Sequence, residues 1–328
     1  MLRVGLVGAG LMGTLHAASW AQTPARLVAV CAKSQDQTSQ LAQQYGSQVA
    51  GSLDALLDAV DVVDICTPTH LHHEMVLAAA AAGKHIVCEK PLARTPKQAE
   101  EMVAACERAG VRLLVAHVVR FFPEYAQAKD MVDHGEIGRV GVVRLKRVSS
   151  RPGWATDDWL FDVEKSGGMM LDLMIHDFDY ARWVTGEVES VFARSVASQQ
   201  PDAPTDYALV IMRHTNGALS HVEGGWPYPV GMFRTSLEIA GDQGLIEHPA
   251  GGSVPLGIYL KQPGDGRKGG EVPASPLLEN PYTTEIKHFY EVIAHDAAPR
   301  VTPGDGLAAL KIAFAAIESA KTGQRVTV

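Results

Sequence analysis

Gly8-Ala9-Gly10-Leu11-Met12-Gly13 follows the apolar run Val4-Gly5-Leu6-Val7 and leads directly into Met12–Ala21, a stretch with helical periodicity. A strand that turns within a few residues into a helix has very few connections open to it. The first glycine permits the tight turn, Gly10 lets the backbone approach a pyrophosphate, and Gly13 lets helix and strand pack closely. Leu11 and Met12 open the helix, whose free N–H groups and positive dipole end suit a phosphate anion. Taken alone, G-x-G-x-x-G is a weak signal, because glycine-rich turns are common. Inside a complete strand–turn–helix–strand unit it is a strong one.

That unit is present. Apolar runs at Arg3–Val7, Arg26–Cys31, Val62–Cys66, His85–Cys88 and Arg112–Ala116 alternate with helical runs at Met12–Ala21, Ser34–Tyr45, Leu53–Asp58, Met75–Ala82 and Pro96–Ala109. The strands are short, β-branched and apolar on both faces, as in a parallel sheet covered by helices. The alternation predicts a doubly wound Rossmann-type domain over residues 1–118. Beyond it the pattern changes. Val140–Val148, Ser190–Ser198, Tyr207–His214, Ala218–Gly225 and Thr235–Gly241 read as longer strands with partial in/out alternation. Asn216-Gly217 between two of them predicts a type I′ hairpin. Helical runs are expected at Met169–Trp183, Thr283–His295 and Gly304–Lys321, with loops over Pro249–Ser275. Residues 119–328 thus form an α+β domain with a mostly antiparallel open sheet, whose last helix is able to return to the first domain.

Composition narrows the function. With a net charge of −8 and no Lys/Arg block, the chain lacks the basic face that a nucleic-acid or anionic-membrane partner requires. Cys31, Cys66, Cys88 and Cys106 are scattered without C-x-x-C spacing, which predicts free thiols in a reducing compartment. The N-terminal apolar run is needed as a strand and is too short for a secretory core, so a soluble cytoplasmic protein is expected.

Four further motifs bear on chemistry. The end of the second strand reads Cys31-Ala32-Lys33-Ser34, where an NAD site commonly carries an acidic residue for the ribose. Without that carboxylate, Ala32, Lys33 and Ser34 favour NADP and leave NAD possible; the alternative is a solvated loop lysine. Cys66-Thr67-Pro68-Thr69-His70-Leu71-His72-His73 follows the third of these strands, and its turn suits the nicotinamide side of a dinucleotide. Three histidines suggest a metal, but no Cys or carboxylate cluster completes a site, so none is expected. Glu89-Lys90-Pro91 lies just beyond the carboxyl end of a parallel strand, where ligands bind. Lys90 there is able to polarise a hydroxyl or carbonyl. Finally, Lys165 to Asp179 carries Ser166 as a helix cap, with Asp172 and His176 four apart on one helix face and Asp179 near the same stripe. A carboxylate one turn from an imidazole orients it as a general base.

In order and spacing these motifs resemble the Gfo/Idh/MocA oxidoreductases, over nearly the whole chain. The resemblance implies Lys90, Asp172 and His176 as catalytic residues and Thr67, Pro68, His72 and Glu89 as cofactor contacts. It also implies a homodimer or homotetramer formed through the open sheet. Two departures stand out: the acidic ribose residue is missing, and Thr69 replaces the asparagine of the family's Thr-Pro-Asn turn. The expected reaction is hydride transfer between a nicotinamide and a secondary alcohol or ketone of a sugar or cyclic polyol. Arg120, Trp154, Asp158, Trp159 and Tyr282 are candidate substrate contacts. The rival readings are a redox-neutral glycosidase using NAD and a non-catalytic nucleotide sensor.

Overall fold

The computed structural model describes residues 1–153, 159–197, 205–248 and 279–328. The chain begins β1 (Arg3–Val7), α1 (Leu11–Trp20), β2 (Arg26–Cys31), α2 (Gln35–Tyr45), β3 (Gln48–Val49) and α3 (Leu53–Ala59). It continues β4 (Val62–Ile65), α4 (His72–Ala81), β5 (His85–Glu89), α5 (Pro96–Ala109) and β6 (Leu113–Ala116). Then come α6 (Pro123–Asp133), β7 (Val140–Ser149), α7 (Val163–Ser166), α8 (Met169–Asp172), α9 (Ile175–Thr185), β8 (Val188–Ala197) and β9 (Thr205–His214). The remainder is β10 (Leu219–Gly225), β11 (Phe233–Gly241), β12 (Leu245–His248), α10 (Pro281–His295), α11 (Pro303–Thr322) and β13 (Val326–Thr327).

Two compact units result. Met1–Phe121 groups with the described residues of Ala274–Leu307, and Phe122–Pro273 groups with Ala308–Val328. The chain therefore crosses between units more often than one boundary near residue 118 implies, and α10 belongs to the first.

In the first unit six parallel strands are ordered β3-β2-β1-β4-β5-β6. β4 and β6 are buried along their whole length, which is why they read as unbroken apolar runs. Helix starts follow local chemistry. Ser34, Ser52 and Thr95 each accept a backbone N–H at the head of α2, α3 and α5, and Pro96 occupies the first turn of α5.

The second unit is built on a seven-stranded sheet ordered β12-β11-β7-β10-β9-β8-β13. Only β7 and β10 pair in parallel; the other neighbours are antiparallel. Alternation is clear in β9, where Ala208, Val210 and Met212 are buried and Ile211 faces out.

Three local expectations are corrected. The β9–β10 turn is not type I′. Gly217 has φ of +89° and Asn216 does not share a positive φ, while the Gly217 N–H donates to His214 O at 2.9 Å. This is a type I turn closed by a left-handed glycine, so the loop holds three residues rather than two. The helix expected over Met169–Trp183 is broken between α8 and α9. Met174 N–H reaches back five residues to Met169 O at 3.3 Å, and Asp177 and Phe178 both donate to Met174 O. That wide turn shifts the helical phase, so the four-residue spacing of Asp172 and His176 no longer means one continuous face. Ser166 ends α7 instead of heading the next helix, and its hydroxyl accepts the Gly168 N–H at 2.9 Å. α6, α7, β3, β12 and β13 were not expected from the sequence, and Pro249–Ser275 lies outside the described residues.

A buried ion pair braces α9 against β7. Arg147 donates to Asp177 through Nε at 2.8 Å and Nη2 at 3.1 Å. Burial pushes the Asp177 carboxyl up and Arg147 offsets part of that, so the pair is held at the expense of desolvation. Asp177→Ala, which strands the guanidinium, should cost about 3–5 kcal/mol in urea unfolding. The double change Arg147→Met with Asp177→Leu should cost clearly less. Equal losses in the two proteins would show that the charge pair itself is the stabilising element.

Candidate active site

In an open parallel sheet ligands bind beyond the carboxyl ends of the strands, where the strand order reverses. Here that point lies between β1 and β4. Gly8 has φ of +105°, and a Cβ on it would stand 2.4 Å from Cys66 O at the end of β4. A Cβ on Gly13 would stand 2.0 Å from Gly8 O. Gly10 is different: a Cβ there meets nothing within 4 Å. Gly10 also heads α1 without a side-chain cap, and the first turn, opened by Leu11 and Met12, holds no acidic residue. An uncapped helix start with open space over its glycine fits a dinucleotide pyrophosphate.

At the end of β2, Ala32 is half-buried while Lys33 and Ser34 are exposed. The Ser34 hydroxyl caps α2 by accepting the Gln37 N–H at 3.4 Å. Asp36, exposed in the first turn of α2, is a carboxylate three residues beyond Lys33.

At the end of β4, the Thr67 hydroxyl donates to Met75 Sδ at 3.6 Å, and Pro68 leads into a 3-10 turn over Thr69–Leu71. His72 is fully buried, with Nε2 2.9 Å from Thr67 O and Nδ1 2.9 Å from Pro91 O. Burial pushes its pKa down. Its ring thus ties the β4 turn to the β5 turn, and what it supplies to a ligand is the position of those two turns. His73 instead meets Glu101 at 2.8 Å, so neighbouring histidines of this run serve different partners. Beyond β5, Lys90 is half-buried and its N–H donates to Glu89 Oε2 at 2.9 Å. Glu89 is 6% exposed and turned towards His16 of α1, 3.1 Å from its Nε2.

Two candidate substrate residues fall within the first unit. Arg120 is 1% exposed; its guanidinium donates to Arg300 O at 2.8 Å and meets Asp305 at 3.4 Å. It braces the segment between α10 and α11. Tyr282 is half-buried in the first turn of α10.

In the second unit Asp172 ends α8 and His176 lies in the first turn of α9. Both are partly exposed, whereas Leu171, Met174, Ile175, Asp177, Phe178 and Asp179 around them are buried. The side chains of Asp172 and His176 are thus the partly exposed polar groups of a segment whose other polar members, Asp177 and Asp179, are buried. Trp159 is half-buried, and its carbonyl accepts the Asp162 N–H at 3.3 Å. Trp154 and Asp158 lie outside the described residues.

Comparison with known proteins agrees with both units. Residues 2–117 match the model of the oxidoreductase family with an NAD-binding Rossmann fold, and residues 125–247 match the GFO/IDH/MocA C-terminal domain. The chain belongs to the Gfo/Idh/MocA oxidoreductase family. Among curated Gfo/Idh/MocA relatives, the oxidoreductase YrbE of Bacillus subtilis (strain 168) is 32% identical, covering 99% of this chain and 96% of its own. Inositol 2-dehydrogenase of Rhizobium meliloti (strain 1021) is 30% identical over 100% of this chain and 99% of its own. The solved structure of levoglucosan dehydrogenase with NADH and levoglucosan superposes with a TM-score of 0.85 at 27% identity, covering 100% and 99% of the two chains.

The glycine geometry separates fold from binding. Gly13→Ala should lower the unfolding temperature of the dinucleotide-free protein, since its Cβ has no room. Gly10→Val should leave that temperature nearly unchanged and weaken dinucleotide binding, read by fluorescence, by about tenfold or more, or roughly 1.4 kcal/mol. Equal affinity in Gly10→Val would mean that the α1 terminus does not hold the phosphates.

Proposed function

We propose that this Gfo/Idh/MocA oxidoreductase interconverts a secondary alcohol and ketone on a sugar or cyclic polyol, with NADP preferred and NAD accepted. The observation that carries the reading is the full-length match to relatives named as inositol and levoglucosan dehydrogenases, in a chain that has Lys90, Asp172 and His176. The dinucleotide, when bound, supplies the hydride donor or acceptor. His176 takes the hydroxyl proton, Lys90 donates a hydrogen bond to the same oxygen, and Asp172 orients the acid–base group. Thr67, Pro68 and Glu89 shape the turns on the nicotinamide side.

NADP preference rests on Ala32, Lys33 and Ser34. A 2′-phosphate meets an exposed ammonium and no carboxylate at the strand end, although Asp36 works against it. A charge-assisted contact is worth about 1.5–3 kcal/mol, roughly one to two decades in affinity.

A panel of polyols and sugars, assayed with both dinucleotides at the nicotinamide absorbance, should give turnover with a bias to NADP. Ala32→Asp with Lys33→Ala should reverse the ratio of the two kcat/KM values. A tenfold preference for NAD in the unaltered enzyme would sink the ribose assignment. In the same assay Lys90→Met should lower kcat by about 10²–10⁴ while leaving dinucleotide affinity within a few-fold. Near-normal turnover would remove Lys90 from the reaction.

The open sheet face supports self-association. Phe192 and Val196 of β8, Ile211 of β9 and Leu219 of β10 share that face and are 37–64% exposed. A homodimer or homotetramer would cover them. Light scattering at micromolar concentration should return a mass of two or four chains; a monomer mass would contradict this.

A further inference from the structure

The interior of the first unit holds a polar cluster that the proposed chemistry leaves unused. α1 contributes His16 and Trp20, β4 contributes Asp64, Cys66 follows β4, β5 ends in Glu89, and α10 contributes Glu285. His16, Asp64 and Glu285 are fully buried. Asp64 accepts from Trp20 Nε1 at 2.7 Å, from His16 Nδ1 at 2.9 Å and from the Cys66 thiol at 3.5 Å. On the other side of the imidazole, Nε2 lies 3.1 Å from Glu89 Oε1, close but off the line of a hydrogen bond. The second Glu89 oxygen holds the Lys90 N–H at 2.9 Å. A connected path therefore runs from Asp64 through His16 and Glu89 to the backbone of Lys90.

Glu285 is the member without a hydrogen bond: both its carboxyl oxygens are buried and neither has a partner among the described residues. α10 is seated on α1, with the Thr283 and Ser19 hydroxyls 3.2 Å apart. The charges that act on Glu285 are His16 of α1, Glu89 of β5 and Asp64 of β4. A carboxyl group out of water, with no hydrogen-bond donor on either oxygen, is disfavoured as an ion. Burial raises the pKa of Glu285 well above the usual carboxylate range, and Glu89 and Asp64 add to this while His16 opposes it. Burial pushes the His16 pKa down, but Asp64 and Cys66 outweigh it and hold it well above the ordinary value. The ligand atoms of His16, Asp64 and Cys66 lie within 4.8 Å of one another, a spacing a metal could use. Asp64 is already engaged by two N–H donors, however, so the arrangement is that of a hydrogen-bonded cluster.

We propose that Glu285 is a positioning residue: an uncharged carboxylic acid on α10 that leaves the His16 imidazolium on Glu89 and so holds the turn from which Lys90 extends. Ionised, it would compete with Glu89 for His16 and repel Glu89 itself, loosening the Lys90 backbone. The effect on turnover rests on the role proposed for Lys90; the protonation state does not.

Glu285→Gln keeps the shape of the acid and has no proton to lose. A carboxyl whose folded pKa is raised gives stability that is full below its unfolded pKa and is lost as pH rises towards its folded pKa. Over that window the folding equilibrium constant of the unaltered protein should fall by up to about tenfold per pH unit through Glu285 alone. His16 contributes a slope of the same sign above its own unfolded value, and Glu285→Gln retains it. Urea unfolding at several pH values from about 6 to 9 should therefore show the variant gaining on the parent by up to one proton's slope. The infrared difference between parent and variant should contain a protonated carboxyl stretch. Glu285→Gln should keep kcat close to the parent value, with activity persisting further into alkaline pH. Glu285→Ala should lose about ten- to a hundredfold in kcat with dinucleotide affinity little changed, the scale of a small misplacement of a reacting group.

Identical pH slopes for parent and Glu285→Gln, or a stoichiometric metal in the purified protein, would overturn the proposal. So would parent-level turnover in Glu285→Ala. Dispensability of Lys90 alongside an intact slope difference would overturn the link to turnover, and the uncharged Glu285 would stand.

Discussion

The first unit depends on one charge held inside a strand. β4 is buried throughout, yet its third residue is Asp64, fully enclosed and accepting from Trp20, His16 and Cys66. An isolated carboxylate in that position would be prohibitive; three donors make it tolerable and fasten α1 to β4. Two of them, His16 and Trp20, are four apart on α1 and so share its inner face. With α1 set in this way, Gly8 and Gly13 fit where no Cβ fits, and the start of α1 is left open above Gly10. The open geometry at the start of α1 is therefore a consequence of how α1 is anchored as well as of its glycines.

A second tie, His72, works by the same logic with carbonyls in place of a carboxylate. Its ring joins Thr67 at the end of β4 to Pro91 after β5. The turns that carry Thr67, Pro68 and Lys90 are thus held by a residue that is itself removed from solvent. In the second unit the ordering element is the Arg147–Asp177 pair, which fixes α9 on β7 while the neighbouring His176 stays partly exposed. In each unit a buried polar group sets the backbone from which a partly exposed one extends.

Much of this was legible in the sequence where the governing interaction is local. β1, β2 and α5 occur at the expected limits, most of the other expected elements shift by only a few residues, and α6 was missed. Gly8 and Gly13 stand where no Cβ fits, as their spacing implied. The errors arose where neighbours in space overrode neighbours in sequence. Asn216-Gly217 suggested a two-residue turn, but Asn216 donates through Nδ2 to Thr185 O at 2.7 Å and accepts the Ala218 N–H, and a three-residue loop forms around those bonds. Arg120 is likewise engaged at long range: its partners Arg300 and Asp305 lie 180 and 185 residues away along the chain.

By itself the sequence determined the strand–helix alternation of the first unit, the glycine turn into α1, and the family to which the chain belongs. All of these follow from periodicity and from motifs contained within a few residues. Only the tertiary structure decided that α10 joins the first unit, that the segment from Met169 breaks into two helices, and that His16, Asp64, Glu89 and Glu285 share one interior. Each is a matter of which groups are excluded from water together. The cost of a buried charge depends on partners that burial selects from distant parts of the chain, and linear spacing carries no record of that choice.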